Sequence, residues 1–450
     1  MPLRTLINEL ETDHKLRRIA ARVSPELELA AITERSGKAS DGGPALLFEQ
    51  VAGHRFCVVT NLFGTEERTA LALGESSLRA FGKRIHASLL AVTGQSADER
   101  LRALLAADTL QPVVNHRPPC REIIAPPDLS VIPALTFWPQ ETVPSLTLPL
   151  VFTTDPDTGQ QNCGMYRVQI HDSDSATINF SGQSGGGRHL QAWREKNLPM
   201  PVAIALGGDP ALIWAAGAPL PQECDELHMA AWVSGRIQTV TCGLSQPLLV
   251  PAEAEIVIEG VIHPGETRAE GLFGNHTGGY VANPAAPLFR ITSISHRADP
   301  ICPATLVGPP PKEDCYLAKA SEQLLLAMLK IAHPPVRDLH MPLETIFHGC
   351  ALIGVEESKE GQGIELLQAL RSSGPLQRAK LLILLDSDID IRNPSLSYWR
   401  AINQLDESRV FIEQGRISID ATGIDTTRLV EHERVTLELI SRRWSEYGLG

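Results

Sequence analysis

The sequence contains no run approaching the roughly 18 uncharged apolar residues that a membrane-crossing helix needs, so a helical span is not expected. Its eight cysteines (Cys57, Cys120, Cys163, Cys224, Cys242, Cys302, Cys315 and Cys350) never fall at CxxC spacing, which leaves no zinc ribbon and no small disulfide scaffold. They read instead as small core residues. The opening stretch, MPLRTLINELETDHKLRR, carries acids and lacks an apolar h-region, so it does not read as a secretory signal. The expected compartment is reducing and cytoplasmic. Positive charge is also scarce. Against 53 acidic residues stand 40 scattered basic ones, a net charge of −13, so no nucleic-acid or anionic-lipid partner is expected. Repeats and low-complexity tracts are missing as well.

What remains is an ordinary globular composition, 43% hydrophobic and 21% charged, over 450 residues, enough for two or three domains. Residues 3–23 carry apolar positions at helical spacing (Leu6, Ile7, Leu10, Leu16, Ile19), and strand-like alternation follows at 46–49 and 55–60. ESSLRAFGKRIHASLLAVT and ADERLRALLAADTLQPV read as helices closed by Pro118 and Pro119, which places a boundary near residue 116. From 117 to 312 short β-branched runs are cut by Pro and Gly, the pattern of an antiparallel barrel or sandwich. RHLQAWREKNLPMPVAIALGGDPALIWAAGAPLP interrupts it with a helix, a buried strand and a second helix. Residues 313–333 form a linking amphipathic helix, and 334–450 an α/β unit with strands at LLILLDSDIDIRN and ISIDATG and a last helix over about 428–447.

Four segments carry candidate chemistry. SGQSGGGRH (181–189) sets four glycines beside Arg188 and His189, a loop that lets backbone and a cation meet a phosphate, although a solvent-exposed loop has the same composition. AEGLFGNHTGGY (269–280) crowds Glu270, Asn275 and His276 among glycines and aromatics; close ligand approach or a bulged hairpin both fit. In NCGMYRVQIH (162–171) strand alternation puts Met165, Arg167 and Gln169 on one face, where Arg167 is either edge-exposed or a fork for a carboxylate. The acids of DSDID (386–390) read as a solvated strand end before a metal site, and His296–Arg297 as a surface pair before a second carboxylate anchor.

Together these segments resemble the UbiD family of prenylated-FMN-dependent (de)carboxylases along nearly the whole chain. The matching motifs are NLFGTE (Asn61–Glu66), N-x-x-x-x-R (Asn162–Arg167), the glycine-flanked Arg188–His189, Asp225–Glu226, EGxFGxxTG (Glu270–Gly278) and IDAT (Ile419–Thr422). The resemblance implies a mixed α+β fold: an N-terminal α/β domain (1–116), a central flavin-binding split β-barrel (117–312), a linker helix (313–333) and a C-terminal α/β oligomerisation domain (334–450). It implies a prenylated FMN whose phosphate is held through Mn2+ and K+ by Asn162, His189 and Glu226, with Arg167 and Arg188 also at the cofactor. Oxygen donors with one imidazole suit manganese. It further implies a flavin prenyltransferase as supplier and a homodimer or larger homo-oligomer.

For catalysis the family sets an Arg beside two acids. Arg167 and Glu270 match, but Asn275 stands at the second acid, and an amide moves no proton at neutral pH. His276 follows, although strand alternation would turn it from the Asn275 face. Loss of CO2 from an sp2 carbon leaves an electron pair that no side chain delocalises, so a cofactor is required. Because an electron-rich ring stabilises charge within itself, Asn275 favours an aromatic or heteroaromatic acid (hydroxybenzoate, furan- or pyrrole-carboxylate) over a cinnamate. Two other classes stay open: a non-catalytic flavin-binding relative, and an FMN oxidoreductase on a split-barrel domain, separable by turnover and by the mass of the bound flavin.

Overall fold

The computed structural model describes residues 1–346, 349–356, 362–423, 430 and 432–449. Its first helix, Leu3–Thr12, buries Leu3, Leu6, Ile7 and Leu10. The helical spacing does not carry on to residue 23 as the sequence suggested. His14 turns the chain at φ 58°, and Leu16–Val23 is a strand running parallel to Ala45–Val51. Leu16 and Ile19 share a face only in a helix, but two apolar residues are too few to hold one; pairing with Ala45–Val51 at the sheet edge, which leaves the arginine-rich middle in water, decides for a strand. Cys57–Thr60 and, from far along the chain, Ile301–Pro303 complete this four-stranded sheet. The expected helices follow at Leu78–Ala91 and Ala97–Leu105, where Ser77 and Ser96 accept from the exposed N–H groups of the first turn.

The central strands are β1 (Ser145–Leu146), β2 (Pro149–Thr154), β3 (Gln161–Met165), β4 (Val168–Ile170), β5 (Ser175–Ile178), β6 (Met200–Leu206), β7 (Ile256–Arg268) and β8 (Ala286–His296). They pair in the order β1-β4-β5-β8-β7-β6-β2-β3, with Ile123–Ala125 joined to β8. Strand β3 ends this path and β4 lies next to its opposite end, yet only Tyr166 and Arg167 separate them in sequence. Three Cα steps reach at most about 11 Å. The sheet must therefore curl until its ends meet, giving a barrel split at Tyr166–Arg167.

This seam corrects the single strand expected across NCGMYRVQIH. Met165 packs toward the N-terminal helices, while Val168 beyond the seam packs inside the barrel. Residues on β6 alternate between the same two cores: Met200, Val202, Ile204 and Leu206 face inward, and Ala203 and Ala205 face the helices around Leu6, Leu10 and Trp214. Burial on both faces is why MPVAIAL reads as one apolar run.

Helices Gly185–Glu195 (α1) and Glu226–Ser234 (α2) close over the seam side of the barrel, and Pro210–Ala215 lies between them in sequence. The linking helix spans Glu313–Ala332. Beyond it, strands Val336–His340, Cys350–Val355, Leu381–Asp386, Arg416–Ala421 and Val410–Glu413 form a sheet in that order, its middle three parallel. The last described helix is Arg434–Arg443, followed by a short turn of helix to Tyr447; residues 428, 429 and 431 of the expected helix lie outside the described residues. No described helix is long and apolar enough to cross a membrane. All eight cysteines are free; six are buried, Cys57 is half-buried and Cys242 is exposed.

The linking helix meets the last sheet through a buried polar knot. Lys319 Nζ donates to Glu322 Oε2 at 2.8 Å, to the Met341 carbonyl at 2.7 Å and to His340 Nδ1 at 3.1 Å. Burial, then the Lys319 charge, push the His340 pKa down to about 4. An unfolded histidine titrates near 6.5, so this knot is fully stabilising above about pH 6.5 and weakens as pH falls toward 4. Allowing for solvent screening, the loss is about 1–2 kcal/mol. His340→Gln should remove that acid-side slope from the urea midpoint measured between pH 7 and 4; an unchanged slope would contradict this assignment.

Candidate active site

Two tiers of polar side chains meet at the seam. In the first, Asn162 on β3 sits opposite Thr153 on β2. Thr153 Oγ1 lies 2.9 Å from His189 Nδ1, which fixes the ring by one nitrogen and leaves Nε2 for another partner. Glu226 opens α2, and its Oε2 accepts from the Cys163 N–H at 3.0 Å. Burial pushes the Glu226 carboxyl up to about 8. Burial also lowers the His189 pKa, which favours the neutral imidazole that coordinates metals.

The glycines expected as a loop form the first turn of α1. Ser184 caps it, accepting from Gly187 N–H at 3.2 Å, and Gly186 N–H donates to Tyr166 Oη at 3.1 Å. A Cβ on Gly185 would lie 1.7 Å from Asn162 Oδ1, so a side chain there must displace the amide or the helix. Asn162 Nδ2 is buried without a hydrogen-bond partner. Arg188 projects from the same turn into solvent, with Nη1 donating to Gln183 O at 2.7 Å.

Among the described residues, no three of His, Cys, Asp and Glu gather as a metal cluster. The donors here are one amide, one imidazole and one carboxyl beside a helix N-terminus. The Asn162 amide oxygen, an imidazole fixed through one nitrogen and a carboxyl raised by burial, beside a bare glycine turn, suit a hard cation near a phosphate.

The second tier begins across the seam. Arg167 Nη2 donates to Glu270 Oε2 at 2.5 Å and Nε to Oε1 at 3.3 Å. Oε2 also accepts from Asn179 Nδ2 at 2.7 Å and Asn283 N–H at 3.0 Å. The Glu270 side chain is fully buried, and the Arg167 guanidinium stacks on Phe273 at 4.8 Å. Gln169 Oε1 accepts from Gly271 N–H at 2.9 Å, holding the next residue in place. Asn179, Asn283 and the Gln169 contact escaped the sequence reasoning, because no spacing announces groups that converge from separate segments.

Asn275 stands apart from this pair. Residues 275–279 form a turn between the short strands Phe273–Gly274 and Tyr280–Val281, and Asn275 Oδ1 accepts from Thr277 N–H at 2.8 Å and Thr277 Oγ1 at 2.5 Å. The strand alternation invoked for His276 therefore does not apply: it sits in the turn, half-buried, with its pKa lowered by burial.

Other singled-out segments serve the framework. Asn61 Nδ2 donates to the Gly42 and Pro44 carbonyls at 3.0 and 2.9 Å, and Phe63 N–H to Glu313 at 3.0 Å, so NLFGTE makes a corner under the linking helix. Asp420 of IDAT accepts from Thr422 N–H and Oγ1 at 3.1 and 2.6 Å. Asp386 lies 3.5 Å from Arg400. His296 and Arg297 are not a surface pair: His296 is buried against Phe56, and Arg297 pairs with Glu253 at 2.7 Å and Glu255 at 3.4 Å. Chain crossing at the strand end, invisible in the local sequence, covers them.

Solved structures align over nearly the entire chain. An evolved dimeric form of the UbiD-class enzyme HmfF from Pelotomaculum thermopropionicum, in complex with prFMN, matches at TM-score 0.82 and 26% identity, covering 98% of this chain and 99% of that one. Vanillic acid decarboxylase of Sedimentibacter hydroxybenzoicus in closed form matches in fold at TM-score 0.87 and 23% identity, covering 99% and 98%. Among sequence relatives, an uncharacterized protein of Archaeoglobus fulgidus is 36% identical over 410 residues, 90% of this chain and 85% of that protein. One from Aquifex aeolicus is 35% identical over 426 residues, 93% and 87%. The split barrel and its flanking elements share the fold of these UbiD-class structures. The chain belongs to the UbiD family: the 3-octaprenyl-4-hydroxybenzoate carboxy-lyase N-terminal, Rift-related and C-terminal domains match residues 7–85, 112–310 and 315–426.

Proposed function

We propose that this chain catalyses reversible, non-oxidative decarboxylation of an aromatic or heteroaromatic carboxylic acid of the hydroxybenzoate, furan- or pyrrole-carboxylate type. The observation that carries the proposal is the buried Arg167–Glu270 pair joined through the two-residue seam to the Asn162–His189–Glu226 tier. Asn162 Oδ1, His189 Nε2 and the Glu226 carboxylate would hold Mn2+, with K+ beside it, and with Arg188 would anchor the phosphate of a prenylated FMN. The bound flavin supplies the electron sink that side chains lack.

The chain's own residues do the rest. Two of the five Arg167 N–H groups serve Glu270, and those left over can grip the substrate carboxylate. Asn179 and Asn283 hold Glu270 so that the fork does not rotate, and Phe273 keeps water from the guanidinium face. Asn275 closes its turn and carries no transferable proton, which supports a ring that stabilises its own charge over an acrylate. Exposed Leu437, Leu439 and Trp444 on and after the last helix support a homodimer or larger homo-oligomer, and eight free cysteines support a cytoplasmic setting. A flavin prenyltransferase would supply the cofactor.

The test is co-expression with and without a flavin prenyltransferase, then CO2 release over arene, heteroarene and cinnamic acids. Release should require the prenyltransferase and should favour the ring acids; a clear cinnamate preference removes the substrate assignment.

A further inference from the structure

One segment outside all the motifs touches the catalytic hairpin along its length. Glu141, only 6% exposed, takes three backbone N–H groups: Phe137 at 2.6 Å and Trp138 at 3.3 Å on Oε2, Gly274 at 2.8 Å on Oε1. The first two belong to its own turn, and the third belongs to the arm that carries Glu270. Trp138 bridges in another direction. Its Nε1 donates to the Val307 carbonyl at 2.8 Å, and its ring lies so near two glycines that a Cβ on Gly274 would stand 2.2 Å from Cδ1 and one on Gly308 2.5 Å from Cζ2. At the hairpin's ends, a Cβ on Gly271 would stand 2.7 Å from Val143, and Gln140 N–H donates to Tyr280 Oη at 3.4 Å. Val307 and Gly308 lead directly into the linking helix.

Three donors converge on one buried carboxyl, and one indole fills the space between two bare backbones. Neither arrangement tolerates drift of the hairpin: a shift of the arm would leave a buried carboxylate oxygen or the Gly274 N–H unpaired. Burial raises the Glu141 pKa above the usual carboxylate range, and its backbone donors, the Gly274 N–H of the hairpin first among them, oppose that rise.

We propose that Glu141 and Trp138 form a clasp that positions the Glu270-bearing hairpin at the seam and ties it to the strap entering the linking helix. Both are positioning residues: they touch the arm rather than the reacting atoms. The proposal rests on the decarboxylase reading for its kinetic consequence only.

Two variants test it in the holoenzyme. Glu141→Gln keeps the shape but offers one acceptor where there were two, and Trp138→Phe keeps an aromatic ring but loses the Val307 bond. Each should lower kcat about tenfold or more with KM and flavin affinity within about threefold, since misplacement near the reacting centre acts on rate first. Backbone hydrogen exchange should quicken about tenfold across 270–281 in both, and across 305–311 in Trp138→Phe. Unchanged exchange over the hairpin in both variants overturns the clasp. So does a fall in melting temperature and flavin affinity parallel to kcat, the mark of a merely structural role. Should Glu141→Gln not fold, Trp138→Phe decides alone. If wild type releases no CO2 from any acid, the decarboxylase reading fails, while the exchange data still judge the clasp.

Discussion

Replacing Arg167 with Ala is expected to lower turnover roughly a thousandfold while the protein still folds and retains flavin, equivalent to about 4 kcal/mol of lost transition-state stabilisation. Two losses combine. The fork that grips the departing carboxyl goes, and Glu270, whose side chain is fully buried, keeps only Asn179 and Asn283 as donors. Breaking a buried ion pair from one side typically costs about 3–5 kcal/mol because the other charge stays behind. Arg167→Lys should recover only part of the rate, since an ammonium cannot present two parallel N–H groups or stack flat on Phe273. Single-turnover CO2 release with the prenylated cofactor bound is the measurement. Turnover within tenfold of wild type in Arg167→Ala would remove Arg167 from the mechanism.

The second large effect belongs to Gly185. Alanine there should abolish flavin retention, lowering affinity about a hundredfold or more, because its methyl would lie 1.7 Å from Asn162 Oδ1 and must displace either α1 or the amide. Gly185 is the first residue of α1, so lost binding with a nearly steady melting temperature points to the site and not to the helix. Gly182 offers the contrast: a Cβ there meets nothing within 4 Å, and Gly182→Ala should change affinity about twofold at most. Flavin fluorescence titration of the apoprotein reads both variants. Normal retention by Gly185→Ala would show that the phosphate tier lies elsewhere.

Much of the framework was legible because periodicity is local. The linking helix falls at Glu313–Ala332, as its amphipathic spacing indicates, and the helix–strand–helix passage near residues 185–215 has the expected order. The misreadings share a cause. Leu16 and Ile19 fit the helical period, but pairing with Ala45–Val51 at the sheet edge overrode it. His276 was assigned a strand's alternation, but Asn275 and Thr277 close a turn around it. Asn179, Glu141 and Trp138 went unread because their partners lie from 91 residues away, for Asn179 and Glu270, to 169, for Trp138 and Val307; Asn283, 13 residues from Glu270, went unread because it acts through its backbone N–H, which no side-chain pattern marks.

The amino-acid sequence alone determined which chemistry is available: a fork-bearing Arg167, an acid at 270, an amide where a second acid would stand, and glycines that permit close approach. Only the tertiary structure decided who meets whom. Of two strands separated by two residues, one ends the sheet path and the other lies next to its opposite end, and closing that path brings Asn162 and Arg167 together at a single seam. Side-chain type is written residue by residue, but convergence depends on how the sheet curls, which is set by burial on both faces and by pairing between residues far apart in the chain.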